Sequence, residues 1–104
     1  MAFADNLKTL PPVTGLAELI LLDSNGSPVA SIENKPGKAG SLAVYAALAQ
    51  RHGKIDAAAA QEGLELFAEH VEDARANPGK HPNIDRLFEV IDSGVGYAVQ
   101  VRQA

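Results

Sequence analysis

The chain contains no cysteine. That single absence removes disulfides, thiolate zinc sites and thiol nucleophiles together, and it fits a reducing compartment. No apolar run approaches the length of a membrane span. The opening residues, Met1 to Asp5, offer neither a basic region nor an apolar stretch long enough for a signal peptide. A cytoplasmic location is therefore expected. Excess positive charge is also missing. The net charge of −4 withholds the basic footprint that nucleic acids and anionic lipid surfaces require, so neither is expected as a partner.

The usual catalytic and metal-binding arrangements are missing as well. The three histidines, His52, His70 and His81, are not spaced as a two-histidine zinc helix. His52 suits a helix C-terminus, where a positive imidazole is favoured. His70, with Asp73 three residues on, reads as a structural or solvated side chain rather than a ligand. The carboxylates Glu62, Glu65, Glu69 and Glu72 follow helical spacing and read as a wet face. Ser41 lacks the surroundings of a nucleophile elbow. No catalytic residue, metal ligand or cofactor is assigned.

What remains is enough to fold. Of 104 residues, 46% are apolar, and a chain of this length can bury a core without metal or disulfide. Phe3, Leu7 and Leu10 recur at helical spacing, so a short helix over about residues 3–9 is expected, stopped by Pro11-Pro12. Residues 17–23 and 28–33 read as strands joined at Asn25-Gly26 by a two-residue type I′ turn. Ser41 is a fitting N-cap for a helix that ends at Gly53. Asp56 caps a long helix to about Ala76, with Ala60, Leu64, Phe67, Val71 and Ala74 as its buried stripe. Asn83 caps a last helix carrying Ile84, Leu87, Phe88 and Ile91. Val95, Tyr97, Val99 and Val101 alternate with smaller or polar residues, as in a half-buried strand. The expectation is one α+β domain over 1–104, order αββαααβ. It has about four helices on a mainly antiparallel three-stranded sheet, formed by the hairpin and the C-terminal strand.

Two features point towards function. The first is Lys35-Pro-Gly-Lys-Ala-Gly-Ser41, a loop between a strand and a helix, where phosphate-binding loops occur. It departs from the nucleotide P-loop, because the glycine spacing is short and no lysine precedes Ser41. Asn77-Pro-Gly-Lys80 repeats its asparagine, proline, glycine and lysine in the same order. If the loops meet, Lys35, Gly37, Lys38, Gly40, Ser41, Lys80 and His81 form an anion site. Otherwise the repetition reflects only the residues that turns recruit. Charge is uneven here: residues 35–54 carry four cations and no acid, whereas residues 55–77 carry six acids and one arginine. Two neighbouring elements that attract one another explain this simply.

The second feature is the hairpin. A two-residue turn pairs Leu22 with Val29 and Leu21 with Ala30. Leu19, Leu21, Ala30 and Ile32 then share one face, and Ile20, Leu22 and Val29 share the other. Two apolar faces are one more than a half-solvated sheet needs. Either the first helix covers the second face, or a second copy or another protein does.

The runs Ile32-Glu-Asn-Lys-Pro-Gly-Lys-Ala-Gly-Ser-Leu-Ala-Val-Tyr45 and Gly79-Lys-His-Pro-Asn-Ile-Asp-Arg-Leu-Phe88 resemble those of a family of small bacterial proteins described only as a domain of unknown function. The resemblance spans the chain. It implies a bacterial, cytosolic protein and assigns no activity, cofactor or site. The leading expectation is a non-enzymatic interaction module that may form a homodimer. The alternative is a binder or converter of a small phosphate-like anion at the two Gly-Lys loops.

Overall fold

The structure is a computed structural model that describes residues 2–104. Met1, the first residue of the stretch read for a leader, lies outside the described residues. The elements are α1 (Phe3–Leu7), β1 (Leu16–Leu22), β2 (Pro28–Glu33), α2 (Ala39–His52), α3 (Ala57–Phe67), α4 (His70–Ala76), α5 (Pro82–Ser93) and β3 (Ala98–Gln103). The three strands form one antiparallel sheet in the order β2-β1-β3. The fold is α+β, as the residue pattern predicts. Among the described residues no helix is long and apolar enough to cross a membrane.

α2 lies at the centre. Leu42, Val44, Tyr45, Ala47 and Leu48 are all buried, and these positions run around most of the helix circumference. A helix that is apolar nearly all round must be covered on more than one side. The sheet covers one side of α2 and α3 covers another. α5 packs on α3, and the Tyr45 hydroxyl donates to the Asn83 carbonyl at 2.5 Å, tying α2 to α5. Burial pushes the Tyr45 hydroxyl up to about 12, so it remains a donor. Gly63 explains itself at the α3 crossing. A Cβ there would stand 2.7 Å from Leu87 and 2.9 Å from Leu48, both fully buried.

Several local expectations need correction. The hairpin turn has three residues, not two. Asp23 and Ser27 close it, Gly26 has φ +82°, and Asn25 is not left-handed, as a type I′ turn would demand. The Asp23 carboxylate accepts the N–H groups of Asn25 and Ser27, both at 2.9 Å, and so selects this loop. Leu21 does pair with Ala30, but Leu22 pairs with Pro28, and a bulge leaves Val29 over. Ser41 is not the cap of α2, which begins at Ala39. The Lys35 carbonyl accepts from both Lys38 and Ala39, so the turn over Gly37 winds directly into the helix. Asn83 is not a cap either: α5 starts at Pro82, whose fixed φ suits a first helical position. Asp56 is the cap of α3 and accepts the Ala59 N–H at 2.9 Å.

The long helix to Ala76 is two helices. Ala68, at φ 52°, breaks it. Of its expected stripe, Ala60, Phe67 and Ala74 are buried, on both sides of the break, whereas Leu64 and Val71 are half-buried. The Asn6 amide donates to the Leu66 carbonyl at 3.0 Å, supplying a partner that the ended helix no longer provides. The last strand begins later than expected. Val95 is exposed and lies outside it, and Tyr97 makes an isolated bridge to Ile55.

α1 does not cover the second face of the sheet. It packs on α3 and α2 instead, and Phe3 stacks on Phe67 with ring centroids 5.5 Å apart. On the outer face, Ile20 lies between Ser31 and Gln100, and the row beyond it is Glu33, Glu18 and Arg102. Only β1 is apolar on both sides. Its neighbours give that face a mixed polar character.

Candidate functional sites: a cleft at the helix ends and an open sheet edge

The cleft lies where α1, the α3–α4 break and the starts of α2 and α5 meet. It has a volume of about 170 Å³ and is lined by Phe3, Ser41, Phe67, His70, Lys80, His81, Pro82, Asn83 and Ile84. That is room for roughly half a dozen waters. Three of the seven expected anion-site residues therefore come together: Ser41, Lys80 and His81. The other four do not line the cleft. Lys35 pairs with Glu33 at 3.0 Å, drawing the Glu33 carboxyl below its usual range. Lys38 and Gly37 are exposed on the loop. Gly40 serves the cleft indirectly, since a Cβ there would stand 3.0 Å from the Phe3 ring.

Each wall has a local cause. Phe3 is held through its N–H, which donates to Glu69 at 2.7 Å and lowers the Glu69 carboxyl. The turn at Ala68 separates Phe67 from His70 and brings both to the cleft. His70 meets Phe3 edge-on at 4.8 Å and lies 5.8 Å from the His81 ring. Asn83 is fixed by Tyr45 from below and by Arg86, which donates to its side-chain oxygen at 2.8 Å.

Behind the rim stands Asp73. One carboxylate oxygen accepts from His81 Nε2 at 2.5 Å and from Lys80 Nζ at 3.1 Å. His81 first, then Lys80, hold the Asp73 carboxyl down to about 2. Asp73 is thus ionised through the physiological range and keeps a proton on Nε2, which leaves Nδ1 as an acceptor. Phe3, Phe67, Asp73 and Asn83 are not marked as site residues by the sequence pattern, and His70, whose pattern suggests a structural or solvated side chain, joins them here. The available signal was His70 three residues before Asp73, combined with the second Gly-Lys loop. Among the described residues, no group of three histidine or carboxylate side chains is placed to hold a metal ion.

Charge complementarity between neighbouring elements is real at the other end of α2. Arg51 and His52 both meet Glu62 of α3, His52 at 2.8 Å. His52 first, then Arg51, lower the Glu62 carboxyl.

The sheet offers the second surface. β1 is central, so β2 and β3 are its edges. β2 starts at Pro28, which has no N–H to give, and the hairpin bulge disturbs its pairing. β3 has no proline and no extra residue of its own: the irregularity in its pairing leaves over a residue of β1, between Leu16 and Glu18, at the last residues of β3. All but one of its six residues are exposed, and its one charge, Arg102, is turned to Glu18 at 3.2 Å. On the core side a groove of about 390 Å³ separates β3 from α2, with Val99 and Val101 on one wall and Ala46 and Ala49 on the other. Of the expected interface residues, Ile20 and Leu22 are half-buried on the outer face, and Val29 is 51% exposed at the bulge. None of them lies on the β3 edge.

No curated protein and no solved structure matches the chain. A family model does: residues 3–101 match the one described as an uncharacterized protein conserved in bacteria (DUF2322), and the chain belongs to that family.

Proposed function

We propose that the protein is a cytoplasmic interaction module whose first partner is a second copy of itself, joined edge to edge through β3. The observation that carries this reading is the contrast between the two sheet edges: β2 is blunted by Pro28 and a bulge, whereas β3 is open and backed by an aliphatic groove. An open edge presents unpaired N–H and C=O groups, which select an extended strand as their occupant.

A second β3 fits on charge and on side chains. Antiparallel pairing centred on Gln100 sets Val99 opposite Val101 of the other copy and Arg102 opposite Ala98. No like charges meet. The arrangement is isologous, and the blunted β2 edges stop it from growing, so it closes as a dimer. Ile20 and Leu22 then lie on the outer face of a continuous six-stranded sheet rather than inside the interface. The lack of any need for a disulfide fits a reducing compartment.

Val101→Lys tests the reading. Val101 is 43% exposed, so the monomer should tolerate the change, while a charge directed into the joined groove should block association. The wild type is expected to have twice the chain mass by light scattering. The variant should have the single mass and a native spectrum, and its melting should not depend on protein concentration, as that of the wild type should. Equal masses for the two proteins would remove β3 as the interface.

A further inference from the structure

The cleft shares no lining residue with the β3 groove, and its chemistry is different. One part is apolar: Phe3 lies over Phe67, and Phe67 and Ile84 are buried to within a few per cent. The opposite rim is polar: Ser41, Lys80, His81 and Asn83. A ligand filling both parts must have an apolar body and an anionic or accepting end. The volume of about 170 Å³ is below the range of about 300–1,000 Å³ typical of sites for drug-sized molecules, so the ligand is small.

Asp73 indicates which anion the rim accepts. Its single oxygen already receives Nε2 of His81 and Nζ of Lys80. The two donors therefore close on one carboxylate oxygen, and Asp73 is an internal example of the group they bind. Lys80 is not used up. The Lys80 ammonium has three N–H bonds, is 60% exposed, and meets only this carboxylate among the described residues. His81 keeps only Nδ1, which is an acceptor. The Ser41 hydroxyl has no partner among the described residues.

We infer that the cleft is a binding site for a small carboxylate with a planar apolar body, which lies against Phe3 and Phe67 while its carboxylate meets Lys80 and Ser41. Asp73 orients His81 and also competes for the Lys80 ammonium. Removing its charge should therefore tighten binding, the reverse of what loss of a purely structural contact would do.

Sodium benzoate serves as the probe, with inorganic phosphate and sodium chloride at matched ionic strength as controls. Amide and aromatic resonances are followed during titration. Benzoate should saturate shifts at Phe3, Ser41, Lys80, His81 and Asn83, and phosphate should give weaker shifts there because it leaves the apolar wall empty. Lys80→Met should weaken benzoate about tenfold, the usual loss for one charge-assisted hydrogen bond, and Asp73→Asn should tighten it several-fold. The site is overturned if benzoate gives no saturable shift at these residues in protein with its native spectrum. The ligand class is overturned if phosphate saturates there and benzoate does not. The competitor role is overturned if Asp73→Asn weakens benzoate while keeping the native spectrum.

Discussion

Ala68 is the one non-glycine with positive φ among the described residues. Its backbone, φ 52° and ψ −118°, matches the first central position of a type II′ turn, where glycine is preferred because a Cβ is crowded. Such strain costs of order 1–3 kcal/mol. Ala68→Gly should relieve it and, after the extra entropy of an unfolded glycine, stabilise the protein by about 1 kcal/mol. Urea unfolding midpoints measure this, and a lower midpoint would show that the turn tolerates its Cβ. Asp73 carries the clearest acid sensitivity. Its folded carboxyl titrates at about 2 against an ordinary 3.8, because His81 and Lys80 favour the ionised form. A depressed folded value means stability that is complete above the ordinary value and lost as pH falls through the folded one. Between about pH 4 and 2, wild-type stability should therefore fall more steeply than that of Asp73→Asn, as thermal melts across the window can record. Parallel curves would mean that the ion pairs do not persist in solution.

Helix starts and stops were legible where a side chain acts on its own backbone. Asp56 and Gly53 were read correctly because capping and left-handed stops are local chemistry. Ser41 and Asn83 were misread because good capping residues stand one or two positions inside helices that start earlier, at a turn over Gly37 and at Pro82. The contrast can be measured. Asp56→Ala should cost about 1 kcal/mol, the usual loss for an N-cap, whereas Ser41→Ala should cost only a few tenths, since Ser41 caps nothing. Comparable losses would mean that Ser41 supports α2 after all. The break at Ala68 left no mark in the apolar stripe, because the stripe continues across the turn. It is enforced from a distance by Asn6 and by Glu69 holding Phe3, and contacts more than fifty residues apart are not visible in local periodicity.

At the scale of the molecule, αββαααβ order and antiparallel pairing were readable from alternation and turn residues. The position of α1 was not. Phe3, Leu7 and Leu10 announce an apolar face without naming its partner, and the seat beside Gly40 and Phe67 exists only once α2 and α3 have packed. The cleft was half legible for the same reason: the two Gly-Lys loops were visible, but only Ser41, Lys80 and His81 converge. The sheet edges follow from strand order, which puts β1 in the middle and leaves β3 open.

Self-association through that edge is tested most directly by isotope-filtered nuclear Overhauser spectra on a mixture of labelled and unlabelled chains, because only contacts between copies survive the filter. Cross-peaks between Val99 of one copy and Val101 of the other, together with contacts from these valines to Ala46 and Ala49, are the expected result. A spectrum without contacts between copies at high concentration, or with contacts confined to Ile20 and Val29 on the outer face, would contradict it.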